Sequence, residues 1–207
     1  MESKAEVRRR HRAQRAQLSE AEAAVRGESL AALLGERISA ASVVAGYLPM
    51  QGEPDVRPLL EAHIRRGGRV YVPVVVDAAA RHLAWAQWSS TVELRRSGLL
   101  PLMEPTGVRT TTTELLQLAV TAGMTMLVPA LAVDTQGARL GQGGGFYDTL
   151  FAEHPKLVER AELLAVVHAQ EVLKPGSFAV EDHDLRVTRA ATPEGIVDVS
   201  GAPSGSV

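Results

Sequence analysis

The pattern of polar and apolar positions first indicates helix, over residues 3–38. Ser3 and Ser19 are each followed three residues later by a glutamate, an arrangement typical of a capping box at a helix N-terminus. Two consecutive helices are therefore predicted, and the first, over residues 3–18, is basic. The second carries apolar residues at helical spacing, which gives it a face for burial: Val25, Leu30, Leu33, Leu34 and Ile38.

From residue 42 onward, short apolar runs alternate with helical segments. Strands are predicted at 42–50, 69–76, 82–88, 124–134, 161–169 and, at the edge of the sheet, 184–190. Helices are predicted at 55–68, at 113–120 and from residue 146, with a Pro- and Gly-rich connection at 97–108. Strands that alternate with helices form mostly parallel sheets covered on both faces, so we expect a three-layer α/β/α fold. One domain should span residues 1–192, and the Gly-, Ser- and Pro-rich tail at 193–207 should be flexible.

This topology predicts where a ligand would bind. In open α/β sheets, ligands bind beyond the carboxyl ends of the strands. Residues 47–53, 128–148 and 168–184 each follow such an end, so we expect the three segments to meet and to form the functional site.

Composition and charge narrow the possible functions. The chain has 207 residues, 45% of them hydrophobic, with a formal net charge of −2 and no cysteine. The lack of cysteine excludes disulfides, thiolate zinc sites and a cysteine nucleophile. No apolar run is long enough to cross a bilayer, so we expect a cytoplasmic protein without a membrane partner. The small net charge argues against a nucleic-acid partner, although residues 1–17 contain six Lys or Arg and two Glu, which leaves RNA binding as an alternative.

A glycine loop, RLGQGGGFYD at residues 139–148, is the strongest chemical signal. Glycines let an anion approach several backbone N–H groups, and a helix from Phe146 would add the positive end of its dipole. Arg139 could hold phosphate oxygens in a bidentate manner. Asp148 would repel a phosphate unless a cation lay between them, which makes it a candidate Mg²⁺ ligand. The spacing matches neither the Walker A loop nor the dinucleotide fingerprint, and a flexible turn capped by Asp148 stays open.

Several stretches together resemble one known family. LVPALAVDTQGARLGQGGGFYD, at residues 127–148, is similar to the long signature of the 5-formyltetrahydrofolate cyclo-ligases, also called 5,10-methenyltetrahydrofolate synthetases. Four further stretches resemble the same family in the same order: KAEVRRRHRAQRAQLS, GYLPMQGEPDVRPLL, MEP and VEDHDLRV. The resemblance covers most of residues 4–190 and implies an α/β fold.

The resemblance also implies an activity. Members of this family use Mg²⁺-ATP to phosphorylate the formyl oxygen of 5-formyltetrahydrofolate, after which N10 attacks the activated carbon. The products are 5,10-methenyltetrahydrofolate, ADP and phosphate. The implied cofactor is Mg²⁺, ATP is a co-substrate, and the implied partners are small molecules. Apart from the resemblance, we expect a monomer. This reaction mainly requires the protein to align two ligands and to neutralise phosphate charge.

Site residues follow from the same resemblance. It assigns ATP binding to the loop and to two cations of the first helix: Lys4, Arg8, Arg139, Leu140, Gly141, Gln142, Gly143, Gly144, Gly145, Phe146 and Tyr147. It assigns folate binding to Leu48, Met50 and Glu53, metal binding to Asp148 and Asp184, and catalytic roles to Tyr147 and Arg139.

The residues alone leave other interpretations open. Lys4 and Arg8, four positions apart, would more often form a solvated basic helix face. Glu53 could instead cap a helix near Asp55, and Leu48 could be plain core.

The chain also departs from the family pattern. Gln142 stands where members often carry an aromatic or basic residue, Gly144 where some carry lysine, and Thr149 where arginine is common. A paralogue with altered substrate is therefore an alternative, as are a non-catalytic folate- or nucleotide-binding protein and an enzyme related to sugar-phosphate isomerases or CoA-transferases.

Overall fold

The computed structural model describes residues 2–99, 102–181 and 184–201. The helices within these ranges are α1 (Lys4–Arg15), α2 (Glu20–Arg37), α3 (Arg57–Arg65), α4 (Thr112–Ala119), α5 (Phe146–Glu153) and α6 (Lys156–Arg160). The strands are β1 (Val43–Ala45), β2 (Arg69–Asp77), β3 (His82–Gln87), β4 (Leu94–Arg96), β5 (Met103–Pro105), β6 (Arg109–Thr110), β7 (Met124–Pro129), β8 (Ala132–Asp134), β9 (Arg139–Leu140), β10 (Glu162–Val166), β11 (Val172–Leu173), β12 (Arg189–Thr192) and β13 (Gly195–Asp198).

The main sheet has the strand order β13-β12-β10-β7-β1-β2-β3-β6. Its five central strands, from β12 to β2, run parallel, whereas β13, β3 and β6 pair antiparallel at the two edges. A three-stranded sheet, β11-β8-β9, lies beyond the carboxyl end of β7, and β4 pairs with β5. The predicted mostly parallel α/β sheet is therefore confirmed.

Successive side chains of the parallel strands enter two different cores, because strand residues alternate between the faces of a sheet. On β1, Val43 and Ala45 join the core formed with α4, α5 and α6, whereas Val44 joins the core formed with α2 and α3. Both faces are thus covered by helices, which gives the expected three layers. The loops after β1, β7 and β10 all leave the sheet at the same edge, where the candidate site lies.

The helix starts follow from local sequence. Ser3 and Ser19 each form a complete capping box, with Glu6 and Glu22 respectively, as predicted. Helix α1 does not cover the main sheet; Val7 packs instead into a small core with residues of β8 and β9. The basic helix is thereby fixed beside the segment that carries the glycine loop.

One sequence prediction about the strands was wrong, and two further segments contain strands that the sequence did not predict. Residues 184–190 do not form the edge strand, because β12 begins only at Arg189 and β13 pairs outside it. The described part of the segment from residue 193 contains β13; the Thr192 hydroxyl accepts two backbone N–H groups and closes the turn before this strand, and Val199 is fully buried. The connection at 97–108 contains β5, which pairs with β4. Of these segments, residues 100, 101 and 202–207 lie outside the described ranges.

Buried histidines make stability depend on pH. His11, His63 and His168 are at most 2% exposed. Burial lowers the pKa of each from the ordinary value of 6.5, because desolvation disfavours the imidazolium. Below that value the unfolded chain binds protons that the folded chain does not bind. The free energy of unfolding should therefore be level above about pH 6.5 and fall as the pH is lowered, which urea denaturation at several pH values will measure.

His11 offers a direct variant for this prediction, because neither of its ring nitrogens has a hydrogen-bond partner in the described structure. We expect His11→Leu to raise the free energy of unfolding at neutral pH by about 1 kcal/mol and to reduce its loss in acid. If the free energy of unfolding of this variant fell with pH as it does in wild type, buried His11 would not contribute to the loss of stability in acid.

Candidate active site

The glycine loop joins β9 to α5 at the carboxyl edge of the main sheet. Gly143 and Gly145 have backbone φ angles of 104° and 73°, which residues other than glycine rarely adopt. Gly145 is the N-cap of α5. The preceding turn is held by Asp134, whose Oδ1 accepts the backbone N–H groups of Gln136 and Ala138 at 2.9 Å each. Asp134 therefore forms a side-chain turn that supports the loop. The loop therefore meets the N-terminus of α5 in a conformation that requires glycine.

Arg139 and Tyr147 place unpaired polar atoms beside this loop. The Arg139 side chain is 4% exposed; its Nη2 donates to Asp148 Oδ1 at 2.8 Å and its Nη1 to Pro129 O at 3.0 Å. The guanidinium lies 5.8 Å from the centre of the Tyr147 ring. Arg139 Nε and the Tyr147 hydroxyl are buried and have no hydrogen-bond partner among the described residues. Burial raises the pKa of Tyr147, so the hydroxyl keeps its proton and can act as a donor.

Helix α1 contacts the glycine loop through two arginine side chains. Arg8 Nε donates to Gly141 O at 3.0 Å. Arg12 donates from Nη2 to Gln142 O at 2.6 Å and from Nε to Gln142 Oε1 at 3.2 Å. The sequence predictions did not include Arg12 as a residue of the site. Arg12 continues the four-residue spacing of Lys4 and Arg8, and this spacing could have indicated that it contacts the loop. The basic face of α1 therefore binds the loop rather than facing solvent alone.

Lys4, expected to bind phosphate, is paired with an expected metal ligand. Its Nζ donates to Asp184 Oδ2 at 2.7 Å and to Oδ1 at 2.9 Å, and it reaches Glu181 at 3.2 Å. Burial would lower the pKa of Lys4, but the hydrogen bonds to the two carboxylates outweigh that effect and raise it. Lys4 thus remains protonated and neutralises part of the acidic charge around Asp184.

Glu53 is buried at the end of the segment that follows β1. It is 7% exposed, its Oε2 accepts the backbone N–H of Met50 at 3.0 Å, and its Oε1 accepts from Gln142 Nε2 at 3.0 Å. Glu53 does not cap a helix, because α3 begins at Arg57 with Val56 as its N-cap. Gln142 therefore joins the glycine loop directly to Glu53.

The two apolar residues predicted beside Glu53 differ in environment. Leu48 packs against the core formed by α2 and α3, so its alternative interpretation as a core residue has support. Met50 is 46% exposed next to Glu53 and is available to a ligand.

A buried ion pair supports the Glu53 segment. Arg15 donates to both carboxylate oxygens of Glu171 at 2.7 and 2.8 Å, and Glu171 in turn accepts the backbone N–H of His168. His168 Nε2 lies 3.1 Å from Gly52 O, next to Glu53. Burial lowers the pKa of His168, so a neutral ring that donates from Nε2 satisfies this contact. His168 is therefore a buried histidine that supports the Glu53 segment, and the sequence did not indicate this support.

The two candidate metal ligands lie near each other. The backbone N–H of Leu185, the residue after Asp184, donates to Asp148 Oδ1 at 3.3 Å. The described side chains form no group of three or more His, Cys, Asp or Glu that could hold a metal by itself. Two carboxylates suit Mg²⁺ when phosphate oxygens and water complete its coordination. The donor set therefore fits a magnesium ion that arrives with a phosphate ligand, and it does not fit a metal site built by the protein alone.

Comparison with known proteins identifies the family. The model of the 5-formyltetrahydrofolate cyclo-ligase family matches residues 1–193. The chain belongs to this family. A 5-formyltetrahydrofolate cyclo-ligase of Mycolicibacterium smegmatis is 38% identical over 168 residues, which are 80% of each chain. The enzyme of the same name from Escherichia coli is 31% identical over 153 residues, 74% of this chain and 79% of its relative.

Solved structures agree with this cyclo-ligase assignment at the level of the fold. The NMR structure of Aquifex aeolicus 5,10-methenyltetrahydrofolate synthetase has a TM-score of 0.68 at 23% identity and covers 99% of this chain and 96% of its own. The synthetase of Mycoplasma pneumoniae has a TM-score of 0.67 at 15% identity, covering 93% of this chain and 100% of its own.

These findings confirm three predictions: the cyclo-ligase family, the α/β fold and a ligase as the class of enzyme. The relatives are named ligases or synthetases, which argues against the isomerase and CoA-transferase alternatives. None of the described helices is both long and apolar enough to cross a bilayer.

Proposed function

We propose that the chain converts 5-formyltetrahydrofolate to 5,10-methenyltetrahydrofolate and consumes ATP in the presence of Mg²⁺, with release of ADP and phosphate. The observation that carries this proposal is the position of two unpaired buried donors, Arg139 Nε and the Tyr147 hydroxyl, beside a glycine loop. That loop is one hydrogen bond from the buried carboxylate of Glu53, through Gln142. An anion site and a site for a ligand rich in N–H groups are therefore neighbours.

The reaction needs little acid or base chemistry from the protein. The formyl oxygen forms a bond to the γ-phosphorus of ATP, and the bond from that phosphorus to the bridging oxygen breaks to release ADP. N10 of the folate then attacks the formyl carbon and loses its proton, and the former formyl oxygen leaves as part of phosphate. Each step gains from alignment and from neutralised charge, which agrees with a site rich in cations and backbone amides.

The phosphate groups would be bound by the loop and by nearby cations. Backbone N–H groups at Gly143–Gly145 and at the start of α5 suit phosphate oxygens, and Phe146 and Leu140 would flank them. Arg139 Nε and the Tyr147 hydroxyl would complete the set and act on the transferring group, because both are buried donors without a partner and belong to the loop and the start of α5. Arg8, whose side chain already contacts the loop, and Lys4 would contribute charge.

Magnesium would be held by Asp148 and Asp184 together with phosphate oxygens. The bound ion would neutralise charge on the phosphates. Arg139 and Lys4 hold the two carboxylates in place, so these cations orient the metal ligands as well as the nucleotide.

The folate would be bound by Glu53. A buried carboxylate can accept the two N–H donors at the amino-pyrimidine edge of a pterin, and the Gln142 amide now occupies one of these acceptor positions. Each carboxylate oxygen can accept a second hydrogen bond, so Glu53 can bind the folate donors while Gln142 and Met50 hold its orientation. Met50, and Leu48 to a smaller extent, would provide apolar contact.

A turnover assay tests the proposal. Purified protein with 5-formyltetrahydrofolate, ATP and Mg²⁺ should form the methenyl product, detected by its absorbance, and omission of ATP or Mg²⁺ should stop the reaction. Tight binding of both ligands without product would instead support the non-catalytic alternative. Product formation without ATP would overturn the proposed mechanism.

Glu53→Gln should weaken folate binding selectively. The substitution keeps the size of the side chain, but it removes the charge and places an N–H group against the donors of the ligand. We expect the KM for 5-formyltetrahydrofolate to rise about 10- to 100-fold, with the Kd for ATP within about threefold of wild type. The exposed Glu36→Gln serves as a control without effect. A change confined to ATP binding would contradict the role of Glu53.

A further inference from the structure

The turn between β2 and β3 projects toward the glycine loop. The register of the two strands shifts between Val75 and Asp77, and buried Glu104 accepts the backbone N–H of Val75 at 2.7 Å beside this bulge. Asp77 Oδ1 accepts the backbone N–H of Ala80 at 2.8 Å and closes the turn. At its base, His82 Nε2 lies 3.0 Å from Glu153 Oε1 of α5. The turn is therefore fixed to the helix that begins at the glycine loop.

Arg81, at the end of this turn, has an unusual backbone conformation. Its φ is 61°, and it is the one residue other than glycine with positive φ among those described. Glycine or asparagine would adopt this conformation with less strain. Folding alone would therefore favour another residue at position 81, so the arginine side chain calls for an explanation.

The Arg81 side chain extends along the start of α5. A Cβ atom at Gly145 would lie 3.2 Å from both Cδ and Nη1 of Arg81. Gly145 is the N-cap of α5, where unpaired backbone N–H groups favour an anion. The guanidinium thus adds a full charge to the same position.

Among the cations at this site, Arg81 has no internal partner. Arg139 is paired with Asp148 and Lys4 with Asp184, while Arg8 and Arg12 donate to loop oxygens. The guanidinium of Arg81 forms neither an ion pair nor a hydrogen bond with the described residues. Arg81 is exposed beside the loop, and all of its guanidinium donors remain available to a ligand, whereas Arg8 and Arg12 each use donors to hold the loop.

We propose that Arg81 is a further nucleotide-binding residue, which contacts the phosphate oxygens of ATP at the N-terminus of α5. This inference rests on the proposed function, because it takes the glycine loop to be the phosphate site. Arg81 approaches that site from the β2–β3 turn, whereas the cations predicted from the sequence belong to α1 and to the loop itself.

Binding of ATP, measured by calorimetry with Mg²⁺ and without folate, tests the inference apart from turnover. Arg81→Asn removes the charge and suits the positive φ, so we expect the Kd for ATP to rise about tenfold, while Arg81→Lys should have a smaller effect. The thermal midpoint of Arg81→Asn should be equal to or above that of wild type, because the backbone strain is relieved. Arg95 is exposed, so Arg95→Asn is the matched control. It should change neither the Kd for ATP nor the thermal midpoint.

The outcomes separate this inference from the proposed function. A Kd for ATP in Arg81→Asn equal to that of wild type would overturn the role of Arg81 and leave the proposed function standing. The role of Arg81 would also be overturned if both Arg81→Asn and Arg81→Gly bound ATP more weakly and had a lower thermal midpoint. In that case the residue would act through folding and not through contact with ATP. Failure of the wild-type protein to bind ATP would refute both.

Discussion

Arg139→Ala is expected to lower kcat for methenyl product formation by about 100- to 1,000-fold. The wild-type side chain combines three functions in one buried position: Nη2 orients Asp148, Nη1 is anchored on Pro129 O, and Nε is left for a ligand. Its removal leaves the proposed metal ligand without its cation and the transferring phosphate without one of its two buried side-chain donors. Steady-state kinetics at saturating ATP and folate will measure the effect, and circular dichroism will verify the fold.

Arg139→Lys is the matched control for charge. Lysine keeps the positive charge but cannot donate from three nitrogens in a planar arrangement, so we expect it to recover only part of the lost rate. Asp148→Ala should also abolish Mg²⁺-dependent turnover while leaving the fold intact. If Arg139→Ala retained a kcat within about threefold of wild type, the loop would not be the site of phosphate transfer.

Glu171→Gln is expected to lower the free energy of unfolding by about 3–5 kcal/mol. The side chains of Arg15 and Glu171 are 3% and 1% exposed, so the substitution leaves a buried guanidinium without its counter-charge. Glu171 also accepts the backbone N–H of His168, which in turn contacts Gly52 beside Glu53. Urea denaturation at pH 7.5 will measure the loss.

Two controls isolate the effect of burial. Glu162→Gln alters ion pairs with Arg37 and Arg189, whose side chains are 39% and 43% exposed, and it should cost less than about 1 kcal/mol. The double variant Arg15→Met/Glu171→Leu should recover most of the lost stability, because it removes both buried charges. A loss in Glu171→Gln no larger than that in Glu162→Gln would refute a structural role for the buried pair.

Local features of the fold were predictable because they depend on residues a few positions apart. The capping boxes at Ser3 and Ser19 each involve a partner three residues away, and the turn at Asp134 involves amides two and four residues away. The helix that starts at Phe146 was predictable for the same reason. β13 was missed because its short apolar run lies in a Gly- and Ser-rich context, and only pairing with β12 gives it order.

The candidate site was predictable in composition but not in its contacts. The resemblance of the glycine loop and of GYLPMQGEP to one family supplied the residues, and the family is confirmed. Their roles remain predictions. Nothing local indicates that Gln142 bonds to Glu53, 89 positions away, or that Lys4 pairs with Asp184, 180 positions away.

By itself, the sequence determined the order of the first three helices and of the central strands β1, β2, β7 and β10, the capping boxes at Ser3 and Ser19, and a glycine-rich loop between a strand and a helix. These depend on propensity, periodicity and interactions within a few residues of chain. Only the tertiary structure decided which cations face the loop, which of them are already paired, and that Arg81 is brought to Gly145 from a distant turn. Such pairings depend on strand order and on how each turn projects from the sheet, and these are properties of the packed chain as a whole.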